Sequence, residues 1–161
     1  MDIFFEDIFF LTEDQIKRKY LYLGEGIARK VYAINDNYVI KVAKGIDGYF
    51  QNKVENYIFE TVDSNLLKYL CPIVAYTPRI IMMKRAKPLS KHKYNRISLS
   101  TIRKDKDSNW DLNYLASKYY LYYNDILSAS SWGNYKGDNV LIDYGCANER
   151  GHRYYGRLLH M

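Results

Sequence analysis

Apolar residues recur along this chain with two different spacings. Tyr38-Val39-Ile40-Lys41-Val42-Ala43 alternates as a half-buried strand does, and Ile80-Ile81-Met82-Met83, introduced by Pro78, is a continuous run of the buried-strand kind. After Gly45 and Gly48 the period changes. Val54, Ile58, Val62 and Leu66 return every fourth residue, and Phe59 and Leu67 widen the face, which predicts an amphipathic helix. A second helical pattern starts at Asp111, where Leu112, Leu115, Ala116, Tyr119 and then Tyr122 or Tyr123 mark one face up to Asn124-Asp125. Thr12 followed by Gln15 forms a capping box ahead of Ile16 to Tyr20. Trp132 to Tyr135 and Val140 to Ile142 flank Lys136-Gly137-Asp138-Asn139 and predict a β-hairpin. Leu66 to Tyr76, with Pro72, reads as a connector and short strand. Residues 87–108, with Pro88, read as a basic and polar linker with room for a short helix. Strands and helices in both halves make this an α+β chain.

Composition narrows the class. A length of 161 residues fits one domain, and a hydrophobic content of 48% excludes disorder. The 18 tyrosines are read as a bias met by amphipathic residues at the edge of the core. Cys71 and Cys146 stand far apart, without metal-ligand spacing, and read as reduced structural thiols. No apolar run approaches the ~20 residues of a membrane span. The first eleven residues lack the basic start of a signal peptide and carry Asp2, Glu6 and Asp7, so cytoplasm is the default location, a host cytoplasm if a phage or virus encodes the chain. The doubled Ile-Phe-Phe of residues 3–5 and 8–10 is too short for an architectural repeat and is expected to pack the N-terminus onto the domain.

The formal net charge is +6, and it peaks from Lys84 to Lys106, where nine Lys and Arg face one Asp. A solvated loop would look like this, and so would a docking surface for an acidic protein partner. Nucleic acid ranks below a protein here, because no aromatic stacking pattern accompanies the charge.

Four features carry chemistry. Leu23-Gly24-Glu25-Gly26 is a G-x-G between strand-forming residues, where missing side chains let backbone N–H groups approach phosphate oxygens. Asn35-Asp36-Asn37 then makes a tight turn into the strand that holds Lys41. Glu55 lies beside the apolar face of the first helix, just before Ile58-Phe59. Asp125 follows the second helix, and Asp143, with Tyr144-Gly145, ends the hairpin. A G-x-G hairpin followed by a lysine strand and a helix does not match the strand–loop–helix of a Rossmann or Walker phosphate site.

This ordered set resembles the protein-kinase-like superfamily over residues 23–145, and more narrowly the very small kinase-like proteins of bacteria and phages with a truncated C-lobe. The resemblance implies an antiparallel-sheet N-lobe with its helix C, plus a minimal C-lobe of helix, catalytic loop and β-hairpin. The implied divisions are 1–22 as an N-terminal extension, 23–86 as N-lobe, 87–108 as linker and 109–161 as C-lobe of one domain. It further implies that ATP and Mg²⁺ are the cofactors. Gly24, Gly26 and Lys41 would hold phosphates, Glu55 would orient Lys41, and Met83, Lys84 and Ala86 would meet adenine at the hinge. Asp125 takes the catalytic slot, while Asp143 and Ser130 take the metal slots. Aligning Asn134 and Asn139 with the catalytic loop instead leaves three residues before Asp143, too few for a hairpin.

The departures are equally specific. Arg29 stands where the third glycine would be. The H-R-D motif reads Tyr123-Asn124-Asp125. Ser130 replaces a metal-binding Asn, and 16 residues after Gly145 hold no activation segment, A-P-E motif or large helical lobe. The expected activity is therefore ATP–Mg-dependent phosphotransfer of the protein-kinase type to a Ser/Thr-like hydroxyl, slow or partner-dependent. The alternative is a pseudokinase module that captures or inhibits a partner protein. A small-molecule kinase of the aminoglycoside-phosphotransferase type ranks third.

Overall fold

The computed structural model describes residues 6–161, with side chains from Asp7 onward. The first Ile-Phe-Phe, and so any test of the doubling, lies outside the described residues. The chain divides into two compact units, one running to Lys53 and including Ile73–Arg85, the other made of Val54–Pro72 and Ala86–Met161.

The first unit is an antiparallel sheet with a small helical cap. Strands β1 (Leu21–Glu25), β2 (Arg29–Ala33), β3 (Tyr38–Ala43), β4 (Ile73–Tyr76) and β5 (Ile80–Lys84) lie in the order β1-β2-β3-β5-β4. Tyr32, Ile40, Val42, Ile80 and Met82 share one face and form a buried cluster with Ile8 and Ile16. Ile16 comes from α1 (Glu13–Lys19), which begins with the expected capping box: the Thr12 hydroxyl takes the Gln15 N–H, and the Gln15 side chain takes that of Thr12. The turn between β2 and β3 is closed by Asn35, whose Oδ1 accepts the N–H groups of Asn37 and Tyr38 at 2.8 and 3.0 Å. Because side chains alternate along a strand, Lys41 stands on the face opposite Ile40 and Val42.

Helix α2 (Ile46–Thr61) starts earlier than its spacing predicts and takes Gly48 inside. A Cβ at position 48 would lie 2.5 Å from the Ala28 carbonyl oxygen and 2.7 Å from the Ala43 Cα, so this glycine is a place of close helix–strand approach, not a helix boundary. One turn later Asn52 accepts from Arg29 at 3.1 Å and donates to the Pro78 carbonyl at 2.9 Å.

The second unit holds a three-stranded sheet in the order β6-β7-β8, built from β6 (Lys87–Pro88), β7 (Trp132–Tyr135) and β8 (Asp138–Leu141). The β7–β8 hairpin was expected, but its turn is two residues, not four. Lys136 and Gly137 both have positive φ (52° and 90°), the pairing that fits a strand's right-handed twist. Around the hairpin lie α3 (Ser108–Lys118), the single turn α4 (Tyr123–Ile126) and α5 (Glu149–Leu158). The aromatic pattern overstates α3, which ends before Tyr119. Tyr120 turns left-handed (φ 53°), and Leu121 pairs with Ala147 as a short bridge.

Tyrosines solve the packing of this unit with buried rings and bonded hydroxyls. Tyr69 donates to Asp111 at 2.7 Å, Tyr144 to the Cys71 carbonyl at 2.9 Å and Tyr155 to the Tyr119 carbonyl at 2.8 Å. Burial pushes the phenols of Tyr69 and Tyr155 well above their ordinary range, so both stay neutral donors.

The segment expected to be a linker is packed over part of its length. Leu99, Ile102 and Arg103 are buried. Arg103 donates to Asp105 at 2.7 Å, to the Lys68 carbonyl at 3.2 Å and to the Asn139 carbonyl at 3.0 Å, and its guanidinium lies 5.3 Å from the centre of the Tyr69 ring. Lys68 and Arg103 together hold the Asp105 carboxyl at about 2. Its stabilising contribution is present above the ordinary carboxylate value and is lost as pH falls from about 4 towards about 2. Urea unfolding across that window should show Asp105→Asn losing less stability than the wild type, by about 1 kcal/mol after allowing for solvent screening. Among the described residues no helix is long and apolar enough to cross a membrane.

Candidate functional site

The glycine turn of the first unit is tied down from behind. Gly24 has φ 147° and sits at a bulge in β1, and the Gly26 N–H reaches the Arg29 carbonyl at 2.9 Å. Lys44 donates to the Gly26 carbonyl at 2.7 Å and pairs with Glu25, which also accepts from Tyr22 at 2.7 Å. Those two donors, Lys44 first, hold the Glu25 carboxyl below its usual range. Arg29 sends its guanidinium to Asn52, while Ile27 at the tip is exposed. The sequence reading missed Lys44, although a lysine just past the β3 strand was a visible signal.

Lys41 is buried at 6% exposure, with Val31 and Ile81 as its neighbours across the sheet. A lysine that deep is held for a purpose other than solvation. Met83 is buried opposite Val39. Lys84 ends the ladder with its ammonium 3.1 Å from the Tyr38 hydroxyl and 4.4 Å from the centre of that ring, so a nucleotide contact here would fall to its backbone. Ala86 opens the second unit, ahead of β6.

In the second unit three expected residues come together through backbone pairing. The ladder of the hairpin continues one step as the Ile142 N–H bonds to the Ser131 carbonyl at 2.8 Å, so Ser130 and Asp143 leave the hairpin at the same end. The chain after Asp143 then pairs with the segment before Asp125: the Tyr122 N–H bonds to the Cys146 carbonyl at 2.9 Å, next to the Leu121–Ala147 bridge. Asp125 itself lies in the helical turn α4, not in open loop.

Burial raises the Asp125 carboxyl above its ordinary value. The Cys146 side chain bonds to it and opposes that rise, the charge of Asp143 reinforces it, and Lys93 opposes it. Asp143 is exposed. Ser130 Oγ lies 2.9 Å from Ser128 Oγ, which donates to the Lys93 carbonyl at 2.9 Å. Glu55 is wholly buried, and its carboxylate accepts the Tyr144 N–H at 2.8 Å, fixing the residue after Asp143. Cys146, read as structural, and Lys93, read as part of a linker, are thus both neighbours of Asp125. Arg96 joins them by donating to the Asn124 carbonyl at 3.1 Å.

No group of three His, Cys, Asp or Glu side chains is assembled for a metal among the described residues. Mg²⁺ that arrives with a nucleotide needs one or two carboxylates and takes the rest of its shell from phosphates and water, and Asp143 with Ser130 fits that requirement.

A glycine turn, a buried strand lysine, a helix with a buried glutamate, a helical-turn aspartate and a post-hairpin aspartate follow one another as the resemblance implies. No protein-family model matches the chain, and no curated protein matches it. Among solved structures it is similar to the aminoglycoside phosphotransferase APH(2″)-IIa in ternary complex with streptomycin and ATP, at 23% identity and a TM-score of 0.40, over 63% of this chain and 32% of that one. It is also similar to SAICAR synthase of Saccharomyces cerevisiae complexed with SAICAR, at 12% identity and a TM-score of 0.37, over 48% of this chain and 38% of that one. The chain therefore spans well under half the length of either structure.

Proposed function

We propose that the chain binds Mg-ATP and transfers a phosphoryl group to a hydroxyl acceptor, slowly or with the help of a partner. The observation that carries this reading is the pairing of Asp125 with Asp143 in the second unit: one carboxylate half-buried and raised, the other exposed, with Glu55 holding the backbone next to it. Two carboxylates in such different settings suit two different tasks.

When bound, Mg-ATP supplies the phosphoryl group and a cation that offsets its charge. The protein supplies position. Lys41 and the backbone of Gly24 and Gly26 contact phosphates, Asp143 with Ser130 contacts the cation, and Asp125 accepts the proton of an incoming hydroxyl. Backbone groups at Met83, Lys84 and Ala86 take the adenine. Glu55 acts as a positioning residue.

Lys41→Ala tests the nucleotide part. Loss of one charge-assisted contact to phosphate is worth about 1.5–3 kcal/mol, so titration calorimetry should show ATP affinity at least tenfold weaker. Unchanged affinity removes Lys41 from the site.

One observation favours a second reading. The Ser130 hydroxyl is engaged with Ser128, as expected of a metal position that has lost its function. In that case the chain is a pseudokinase module that retains a nucleotide, performs no transfer and captures an acidic protein through Lys84 to Lys106. Because Lys93 and Arg96 adjoin the Asp125 turn, neutralising them would then affect both nucleotide and partner.

A further inference from the structure

We infer that helix α5 carries a docking site for single-stranded nucleic acid, separate from the residues assigned to phosphotransfer. Tyr120, Arg150, Arg153, Tyr154, Arg157 and Leu158 line an open groove of about 570 Å³. Arg150, Arg153 and Arg157 recur at helical spacing and therefore share one face of α5. Arg153 pairs with the exposed Glu149 at 2.9 Å, whereas neither Arg150 nor Arg157 has an acidic partner among the described residues. Three guanidiniums on one stripe, with one carboxylate against them, form a surface that attracts anions.

The stripe is rigidly presented. On the opposite face Tyr155 is buried and bonds to the Tyr119 carbonyl, and a Cβ at Gly151 would lie 2.7 Å from the Ala147 Cβ and 2.9 Å from the Tyr120 Cβ. The Tyr154 ring packs against Tyr120 with centroids 5.3 Å apart and against Tyr155 at 5.1 Å. Its ring remains 40% exposed in the groove.

Charge and rings together decide the ligand class. Every cation in the groove is an arginine, the side chain that grips phosphate through two parallel N–H bonds. Seven residues of helix span about 10 Å, enough for roughly three stacked phosphates of one strand. An acidic peptide would match the charges and leave the tyrosine rings unused. A nucleic-acid strand offers phosphates to the arginines and a flat base to the ring. The basic stretch from Lys84 to Lys106 holds a single aromatic ring of the tyrosine, tryptophan or phenylalanine kind, Tyr94, and most of its cations are lysines, which grip phosphate without the arginine fork.

Fluorescence anisotropy with a short labelled oligouridylate tests the site. Three phosphate contacts predict a slope of log affinity against log salt near −2, so binding weakens about twentyfold between roughly 50 and 200 mM salt. The Arg150→Ala/Arg157→Ala double variant should bind at least tenfold more weakly and show a slope near −0.7. Tyr154→Ala should lose about tenfold with the slope unchanged. The Lys91→Ala/Lys93→Ala/Arg96→Ala variant should retain binding. A wild-type slope near zero would overturn the proposal without reference to any variant. So would displacement of the oligouridylate by polyglutamate of matched charge at equal affinity, or loss of binding only in the Lys91/Lys93/Arg96 variant.

Discussion

Asp125→Asn is expected to lower phosphotransfer by about a hundred- to ten-thousandfold while leaving Mg-ATP affinity within twofold, the range that general-base catalysis contributes. The amide keeps the shape of the side chain and removes its ability to take a proton. Its neighbours add a pH signature. Burial favours the neutral acid, so the acid limb of the rate profile should lie above the ordinary aspartate value of about 4. Cys146→Ala removes a bond that favours the charged form and should move that limb higher still. Single-turnover rates from pH 4 to 8 on the wild type and both variants check this. A limb that ignores both substitutions would take Asp125 out of the chemistry.

Arg103→Ala is expected to have the largest effect on stability, a loss of about 3 kcal/mol in urea unfolding. The side chain is 6% exposed, and it serves Asp105, two backbone carbonyls and the Tyr69 ring together. Truncation leaves a carboxylate and two carbonyls short of a partner inside the protein, which costs more than the bonds themselves contribute. Arg103→Lys should recover only part of the loss, because an ammonium cannot reach three acceptors in one plane. If Arg103→Ala unfolds at the wild-type urea concentration, residues 99–105 are a surface loop after all.

What the sequence made legible depended on range. The capping box at Thr12, the alternation from Tyr38 to Ala43 and the apolar run from Ile80 to Met83 are local signals, and each became the element it predicted. The order of Lys41, Glu55, Asp125 and Asp143 along the chain was also legible, since order is a property of sequence. Arg103 was not. In a run of lysines and arginines it reads as solvated, and its burial depends on Lys68 and Asn139, each more than thirty residues away. Cys146 and Lys93 escaped for the same reason: the pairing of Tyr122 with Cys146 brings the first to Asp125, and the bonds of Ser128 to the Lys93 carbonyl and of Ala129 to the Asn95 carbonyl bring the second. Helix α5 has no apolar stripe to betray it, because its buried face is Gly151 and Tyr155. Its one early sign was Asn148, an N-cap whose side chain accepts the Gly151 N–H at 2.9 Å. The tyrosines after Leu115 misled in the opposite direction. They continue the helical period past Lys118, where the left-handed Tyr120 ends the helix.

Nucleotide binding is the claim on which the functional reading rests, and a thermal-shift titration with ATP, with and without Mg²⁺, tests it most directly on the wild type and Asp143→Asn. At a hundredfold excess over Kd a bound ligand stabilises the folded state by about 2.7 kcal/mol, which for a chain of this size raises Tm by roughly 5–10 °C. The expected result is such a rise for the wild type with Mg-ATP, a smaller one with ATP alone, and no added effect of Mg²⁺ in Asp143→Asn. A wild-type Tm that stays constant across the whole titration, with Mg²⁺ present, would contradict it.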